Sequence, residues 1–246
     1  MGMTGEGRRI LFTRAFNLEF NADYSEVLRY LGCPGGYVKD GARIGQMVLD
    51  TYQEVKRFAV PRGIYGTFRI ERLPDGGFLL PEAGLSLLSR DLEALWQDSE
   101  KMTILAATLG NSVDQLVSYL VGSGQYAKAV IADAIGSAAA EAAIEQVDSI
   151  VRKEARQRGK TLTARFSPGY GDVSLDLQKD LVALVGADEI GIEVTEAFIL
   201  KPRKSVTALL AWSDSTSHSA KSEEADCQFC KFKECRFRRS ESRDAK

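Results

Sequence analysis

A chain of 246 residues, 44% hydrophobic and 27% charged, can bury one large core or two small ones. Its formal net charge of -2 argues against a protein that holds nucleic acid or an anionic membrane by bulk charge. The most apolar long segment, AKAVIADAIGSAAAEAAIEQV, contains Asp133, Glu141 and Glu145, which argues against a membrane span. The opening MGMTGEGRRILFTRAF lacks the apolar centre of a signal peptide, and Glu6 stands where a myristoylation signal takes Ser or Thr, so a cytoplasmic protein is expected.

In chain order, residues 21–31, NADYSEVLRYL, predict a helix that GCPGG stops, with Cys33 a small buried or half-exposed thiol in the turn. Residues 39–58 predict a second helix with Ile44, Met47, Val48, Tyr52, Val55 and Phe58 on one stripe. GIYGTFRIERL alternates in period two and meets GGFLL across a Pro-Asp-Gly-Gly turn, which predicts a β-hairpin. A short helix near residues 89–98, the strand KMTILAATLG and a helix from Asn111 or Ser112 follow. Residues 124–158 predict a long helix lined in its middle, DAIGSAAAEAA, by small residues that let another backbone or a ligand come close. SLDLQKDLVALV predicts a helix with Ser174 as N-cap, and IGIEVTEAFILKPRKSVTALLAW a pair of strands bent at Lys201-Pro202. Without the regular alternation of a parallel α/β fold, the expected class is α+β, a mainly antiparallel twisted sheet with flanking helices. Residues 1–212 form the expected body; residues 213–246 are a polar Ser-rich linker and a Cys-rich basic tail.

Three patterns carry chemistry. In RFSPGYGD, Arg165 precedes a turn whose Gly169 admits close approach and whose Tyr170 offers a ring, which suits a ligand with a carboxylate and a flat heterocycle. On spacing alone the plainer alternative, a surface arginine beside a tight turn, has the stronger support. On the long helix Asp133, Ser137 and Glu141 share one face at helical spacing, among Ala and Gly. A carboxylate over small residues can meet a cation; a solvated helix face is the commoner outcome. In CQFCKFKEC, Cys227, Cys230 and Cys235 are spaced to share one metal, zinc or an iron-sulfur cluster. A fourth ligand is open among Cys33, His218, Asp226, a partner's group or a vacant position, and the alternative is a basic tail with idle thiols. No Ser-His-Asp set, P-loop or Rossmann fingerprint occurs, and His218, the lone histidine, lies in the linker.

RFSPGYGD, IGIEVTEAFILKPRKSVTAL and the helix segment AAAEAAIEQV together resemble the activation domain of cobalamin-dependent methionine synthase, in its shorter free-standing form. The resemblance covers most of the chain and is sharpest from Ala106 to Ala211. The family's arginine-x-x-x-glycine-tyrosine motif is met by Arg165, Gly169 and Tyr170, and its later pattern by Thr195, Glu196, Ala197, Phe198, Pro202, Ser205 and Val206. By this resemblance the domain binds S-adenosylmethionine: Arg165 grips the methionine carboxylate, Phe166, Ser167, Pro168, Gly169 and Tyr170 line the nucleoside, and Glu141 is the helix glutamate near the sulfonium. The chain departs from the family where a second glutamate is expected, reading RQRGKTLTAR with Gly159 near its place, and where GDVSLD replaces a proline-rich continuation. Asp133 or a water would then complete the sulfonium's surroundings.

What the resemblance implies is reductive activation of a corrinoid protein. A rare reduced cobalt is trapped by a methyl group from S-adenosylmethionine, which is catalysis chiefly by positioning. The expected cobalamin is carried by a partner, a corrinoid-binding methyltransferase subunit, on a concave apolar docking face. A flavodoxin or ferredoxin-like protein is the expected electron donor, with a cluster at the tail cysteines as a receiver. The alternatives are an activator of another corrinoid methyltransferase, a domain that only senses S-adenosylmethionine, and a non-catalytic metal-bearing module whose Phe-interleaved basic tail binds RNA or a partner.

Overall fold

The computed structural model describes residues 12–33 and 41–214. In chain order it has strand β1 (Phe12–Asn17), helices α1 (Tyr24–Tyr30) and α2 (Gly41–Phe58), strands β2 (Arg62–Arg69), β3 (Glu71–Arg72), β4 (Phe78–Leu80) and β5 (Leu85–Leu87), and helix α3 (Arg90–Leu95). Strand β6 (Lys101–Thr108), helices α4 (Asn111–Gly122) and α5 (Tyr126–Gln157), strand β7 (Thr161–Leu162) and helix α6 (Leu177–Val185) come next. A 3-10 turn at Ala187–Ile190 and strands β8 (Glu193–Val194), β9 (Leu200–Lys201) and β10 (Ser205–Ser213) complete it.

The centre is a five-stranded sheet in the order β1-β2-β6-β10-β7, with every pairing antiparallel. Side chains alternate across a strand, so each long strand feeds two cores. Tyr65, Leu105, Ala107, Ala208, Leu210 and Trp212 face α5, whose Ala132, Ile135, Ala139, Ala143, Val147 and Val151 pack down on them. Ile64, Phe68, Met102, Ile104, Leu209 and Ala211 face the other way, onto α6, α3 and the small β3-β4-β5 sheet. The result is a sheet between two unequal layers, as α+β composition requires.

The helices form where the sequence predicts them, and α5 is long because Ala and straight-chain residues dominate it. Its small residues serve chiefly to seat the helix on the sheet. The expected hairpin is corrected: β2 pairs with β1 and β6, and only Glu71–Arg72 turns back onto Phe78–Leu80. Strand β1 goes unpredicted, because FTRAFN is too short and mixed to separate strand from loop by period. Helix α6 begins after Asp176 rather than at Ser174, and Asp176 makes no side-chain cap bond. The expected pair of strands after it is three, because Thr195–Ile199 folds into a tight turn joining β8 to β9 before the bend at a cis Lys201-Pro202 peptide.

One tether between sheet and α5 has a measurable signature. The Tyr65 hydroxyl donates to Glu154 Oε2 at 2.9 Å, and burial, reinforced by that carboxylate, pushes the phenol from 10.0 up to about 12. The folded chain therefore keeps the proton between pH 10 and 12 while the unfolded chain loses it. The stability this contributes is whole below pH 10 and drains as pH rises toward 12. An ultraviolet phenolate titration is expected to show a late step near pH 12 that Tyr65→Phe removes; ionisation of Tyr65 near 10 would refute the tether.

Candidate functional site

The polar stripe of α5 runs beside its sheet-facing side: Asp133, Ser137, Glu141, Glu145, Asp148 and Arg152 recur at helical spacing. It borders the edge of β10. There β7 covers only Trp212 and Ser213, and Phe166 adds one bridge at Leu209, so among the described residues no strand pairs with the edge from Ser205 to Ala208. The segment from Thr163 to Tyr170 closes that notch from one side and the turn before β10 from the other.

At one end Arg152 bonds Asp148 and donates to the carbonyls of Leu162 and Thr163, fixing where the segment leaves α5. Arg165 then turns toward α5, because its neighbour Phe166 pairs with Leu209 and packs into the opposite core. The Arg165 side chain is only 13% exposed. Its Nη2 lies 3.8 Å from Glu145 Oε1, a charge contact without a hydrogen bond, and its Nη1 is buried with no hydrogen-bond partner among the described residues. A buried guanidinium nitrogen without an acceptor is costly unless a ligand supplies one.

Ser167 donates to the Thr207 carbonyl at 2.9 Å, and Pro168 is buried beneath the turn. Gly169 adopts φ 87, and its N–H bonds the Val173 carbonyl. Tyr170 is 56% exposed, its ring at the surface of the loop. The motif thus joins a buried guanidinium to an exposed aromatic ring through a backbone pinned to β10.

At the other end the buried Lys204 lays its stem across Gly136, where a Cβ would come within 3.1–3.2 Å of Cε, Cδ and Cγ. Its ammonium meets Asp133 Oδ1 at 2.8 Å and Ser137 Oγ at 2.9 Å. Asp114 of α4 holds the adjacent Arg203 N–H at 2.6 Å, so this turn is fixed from α4 and α5 together. Asp133 therefore answers to a cation of the chain itself, while Glu141 lies between the two anchors. Ser137 and Glu145 are about 12 Å apart along the axis at 1.5 Å per residue, enough to flank an extended nucleoside-sized ligand. Glu141 also feels α1: burial and then the Glu141 charge raise the Tyr30 phenol above its ordinary range, and Arg29 stacks 4.4 Å from the Tyr30 ring centroid.

The later motif is at the same strand end but on the other face. Phe198, Leu200 and Ser205 line an open groove of about 320 Å³ with Leu175, Gln178 and Arg203. Sequence reasoning missed Lys204 as an occupant of the stripe, Tyr30 beside Glu141, and Asp172 at the loop's end; a lysine beside a proline bend carries no signal of burial. Cys33 is half-buried, as expected of a thiol in a helix-ending turn. Cys227, Cys230, Cys235 and His218 lie outside the described residues; among the described residues no cluster of three metal-ligating side chains occurs. Among them, too, no helix is long and apolar enough to cross a membrane.

A scan against protein-family models finds no match, and a search of curated proteins finds none. In three dimensions the chain is similar to the crystal structure of the MetH reactivation domain bound to AdoHcy, with a TM-score of 0.63. The similarity covers 88% of this chain and 84% of that one at 15% sequence identity. The protein therefore has the reactivation-domain fold, a curled antiparallel sheet with flanking helices.

The Lys204 anchor separates packing from charge. Lys204→Met keeps the stem, and because Asp133 is 41% exposed the lost ion pair is expected to cost under about 1 kcal/mol. Lys204→Ala also empties the space over Gly136 and is expected to cost about 2 kcal/mol. Equal losses in urea unfolding would show that charge rather than packing sets the anchor.

Proposed function

We propose that this protein binds S-adenosylmethionine in the notch between α5 and the Arg165–Tyr170 loop, and serves the reductive activation of a corrinoid protein. The observation that carries the reading is the buried Arg165 Nη1, a charged donor without an acceptor among the described residues. The same side chain lies against Glu145 of α5 and opens a loop that matches the arginine-x-x-x-glycine-tyrosine motif. The solved neighbour of the same fold holds AdoHcy, which supports an S-adenosyl ligand here.

Each residue then has a physical task. Arg165 receives the carboxylate of the methionine moiety by charge-assisted hydrogen bonds. Gly169 lets the nucleoside approach the backbone, and the exposed Tyr170 ring stacks on or covers it. Glu141 places a negative charge one turn from Glu145, where it favours a sulfonium over a neutral thioether. Asp133, held by Lys204, acts at most from the margin of that charge.

The corrinoid, carried by a partner methyltransferase subunit, supplies a reduced cobalt that accepts the methyl group as the S–C bond breaks and the thioether leaves with the bonding pair. This chain contributes no general acid or base; it binds, orients and holds the methyl donor for the partner. Methionine synthase is the proposed partner, and a flavodoxin or ferredoxin-like protein the proposed source of the electron. Ser213 belongs to β10, which moves the expected boundary at 212 outward, and the tail beyond Asp214 is proposed as a separate appendage that holds zinc or an iron-sulfur cluster at Cys227, Cys230 and Cys235.

Isothermal titration tests the reading. Wild-type protein is expected to bind S-adenosylmethionine saturably, and Arg165→Ala to weaken it about 30- to 100-fold, the equivalent of about 2–3 kcal/mol of charged hydrogen bonding. Glu141→Gln is expected to lower the preference for S-adenosylmethionine over S-adenosylhomocysteine about fivefold, with the latter's affinity nearly unchanged. No binding by wild type at millimolar ligand, or full binding by Arg165→Ala, would contradict the assignment.

A further inference from the structure

The end of the binding loop carries a pair of carboxylates whose roles no motif assigns. Asp172 lies against the start of α3: the Ser89 hydroxyl donates to its Oδ1, the Arg90 N–H reaches its Oδ2 at 2.8 Å, and the Asp91 N–H its Oδ1 at 3.4 Å. Asp91 returns the contact, its Oδ2 accepting the Asp172 N–H at 3.1 Å. The exchange works only because residue 171 is glycine. At φ 55 a Cβ there would come within 2.1 Å of Asp91 Oδ2 and 2.9 Å of the Phe166 ring. Ser89 in turn caps Leu92 at 3.0 Å, and the Leu92 and Trp96 side chains are wholly buried in the second core.

The loop is therefore supported at both ends, with the buried Val173 beside the second support. Phe166 and Ser167 tie its start to β10, and the Asp91–Asp172 exchange ties its end to α3. Between them Gly169 and Tyr170 are exposed, and the inner turn is held by the bonds Tyr170 N–H to Ser167 O and Val173 N–H to Tyr170 O. Without the exchange the end of the loop would be held by Val173 alone, whose carbonyl accepts the Gly169 N–H, and a loop held by fewer contacts samples more backbone states before a ligand can settle on it.

We propose that Asp172 and Asp91 are positioning residues: a reciprocal carboxylate clamp that holds the Arg165–Tyr170 loop in its ligand-binding shape before the ligand arrives. The clamp rests on the functional reading above for the identity of the ligand, but not for its own existence. It also gives the GD that follows Tyr170 a physical reason, replacing with polar anchoring the stiffness that a proline-rich continuation would supply.

Amide hydrogen exchange of the ligand-free protein and S-adenosylhomocysteine titration, run on the same variants, test it. Asp172→Ala is expected to speed exchange of amides in residues 166–172 about tenfold, leave α5 and β10 protected, and weaken binding about tenfold. Asp172→Asn, which keeps one acceptor, is expected to fall between Asp172→Ala and wild type. Asp91→Asn, which keeps an oxygen for the Asp172 N–H, is expected to behave as wild type, and Asp91→Ala is not. Unchanged loop exchange in Asp172→Ala overturns the clamp, and faster exchange with unchanged affinity overturns its positioning role. Lost protection throughout Asp172→Asn makes the residue a fold determinant and overturns the proposal. Failure of wild type to bind S-adenosylhomocysteine overturns the ligand assignment and the positioning role with it, while the exchange experiment still decides the clamp.

Discussion

Everything else in the structure depends on the seating of α5 across β2, β6 and β10. A helix whose inner face is Ala132, Ala139, Ala143 and Val147 lies close on a sheet whose matching face is Leu105, Ala107, Ala208 and Leu210. Small side chains on the helix leave room for the larger Leu105 and Leu210 of the sheet beneath it, and the helix is about 48 Å long at 1.5 Å per residue. Once the apolar face is committed, the 3.6-residue period fixes where the neighbouring stripe must lie. That stripe, Asp133 to Arg152, runs beside the part of the β10 edge that lies beyond its pairing with β7. The site is thus a consequence of packing, with charges delivered to a notch by the same geometry that builds the core.

The notch is held by charge at both ends. Lys204 is neutralised by Asp133 and donates to Ser137, and Arg152 is neutralised by Asp148 and donates to two carbonyls. Arg165 is different. It has one loose carboxylate neighbour, half exposed, and a buried nitrogen with no hydrogen-bond partner among the described residues. Such an arrangement is stable enough to persist in a well-packed domain and gains most from an incoming carboxylate. The loop that follows Arg165 is supported at β10 by Phe166 and Ser167 and at α3 by Asp172.

Much of this was legible in the sequence because the signals were periodic or steric. The helices α1, α2, α4 and α5 announce themselves by apolar spacing, and β6 and β10 by continuous apolar runs. Arg165, Gly169 and Tyr170 were visible as a motif, although only the pairing of Phe166 with Leu209 turns Arg165 toward α5. What stayed hidden was long-range. Partners such as Lys204 with Asp133, 71 residues apart, or Asp172 with Asp91, 81 apart, leave no local pattern, since the chain between them fixes their meeting only after the sheet has closed. The hairpin expected from GIYGTFRIERL and GGFLL forms only at Glu71–Arg72 for the same reason: β2 found better partners in β1 and β6 than its sequence neighbour could offer.

The central claim, that Arg165 is a carboxylate receptor, is tested most directly by removing the carboxylate from the ligand and the guanidinium from the protein in one cycle. S-adenosylhomocysteine and 5′-methylthioadenosine, which lacks the amino-acid head, would be titrated into wild type and Arg165→Ala. The account predicts that wild type prefers S-adenosylhomocysteine by about 30-fold or more and that Arg165→Ala loses most of this preference, a coupling of about 2 kcal/mol. An equal preference in both proteins would mean that the carboxylate is recognised elsewhere, and would contradict the account.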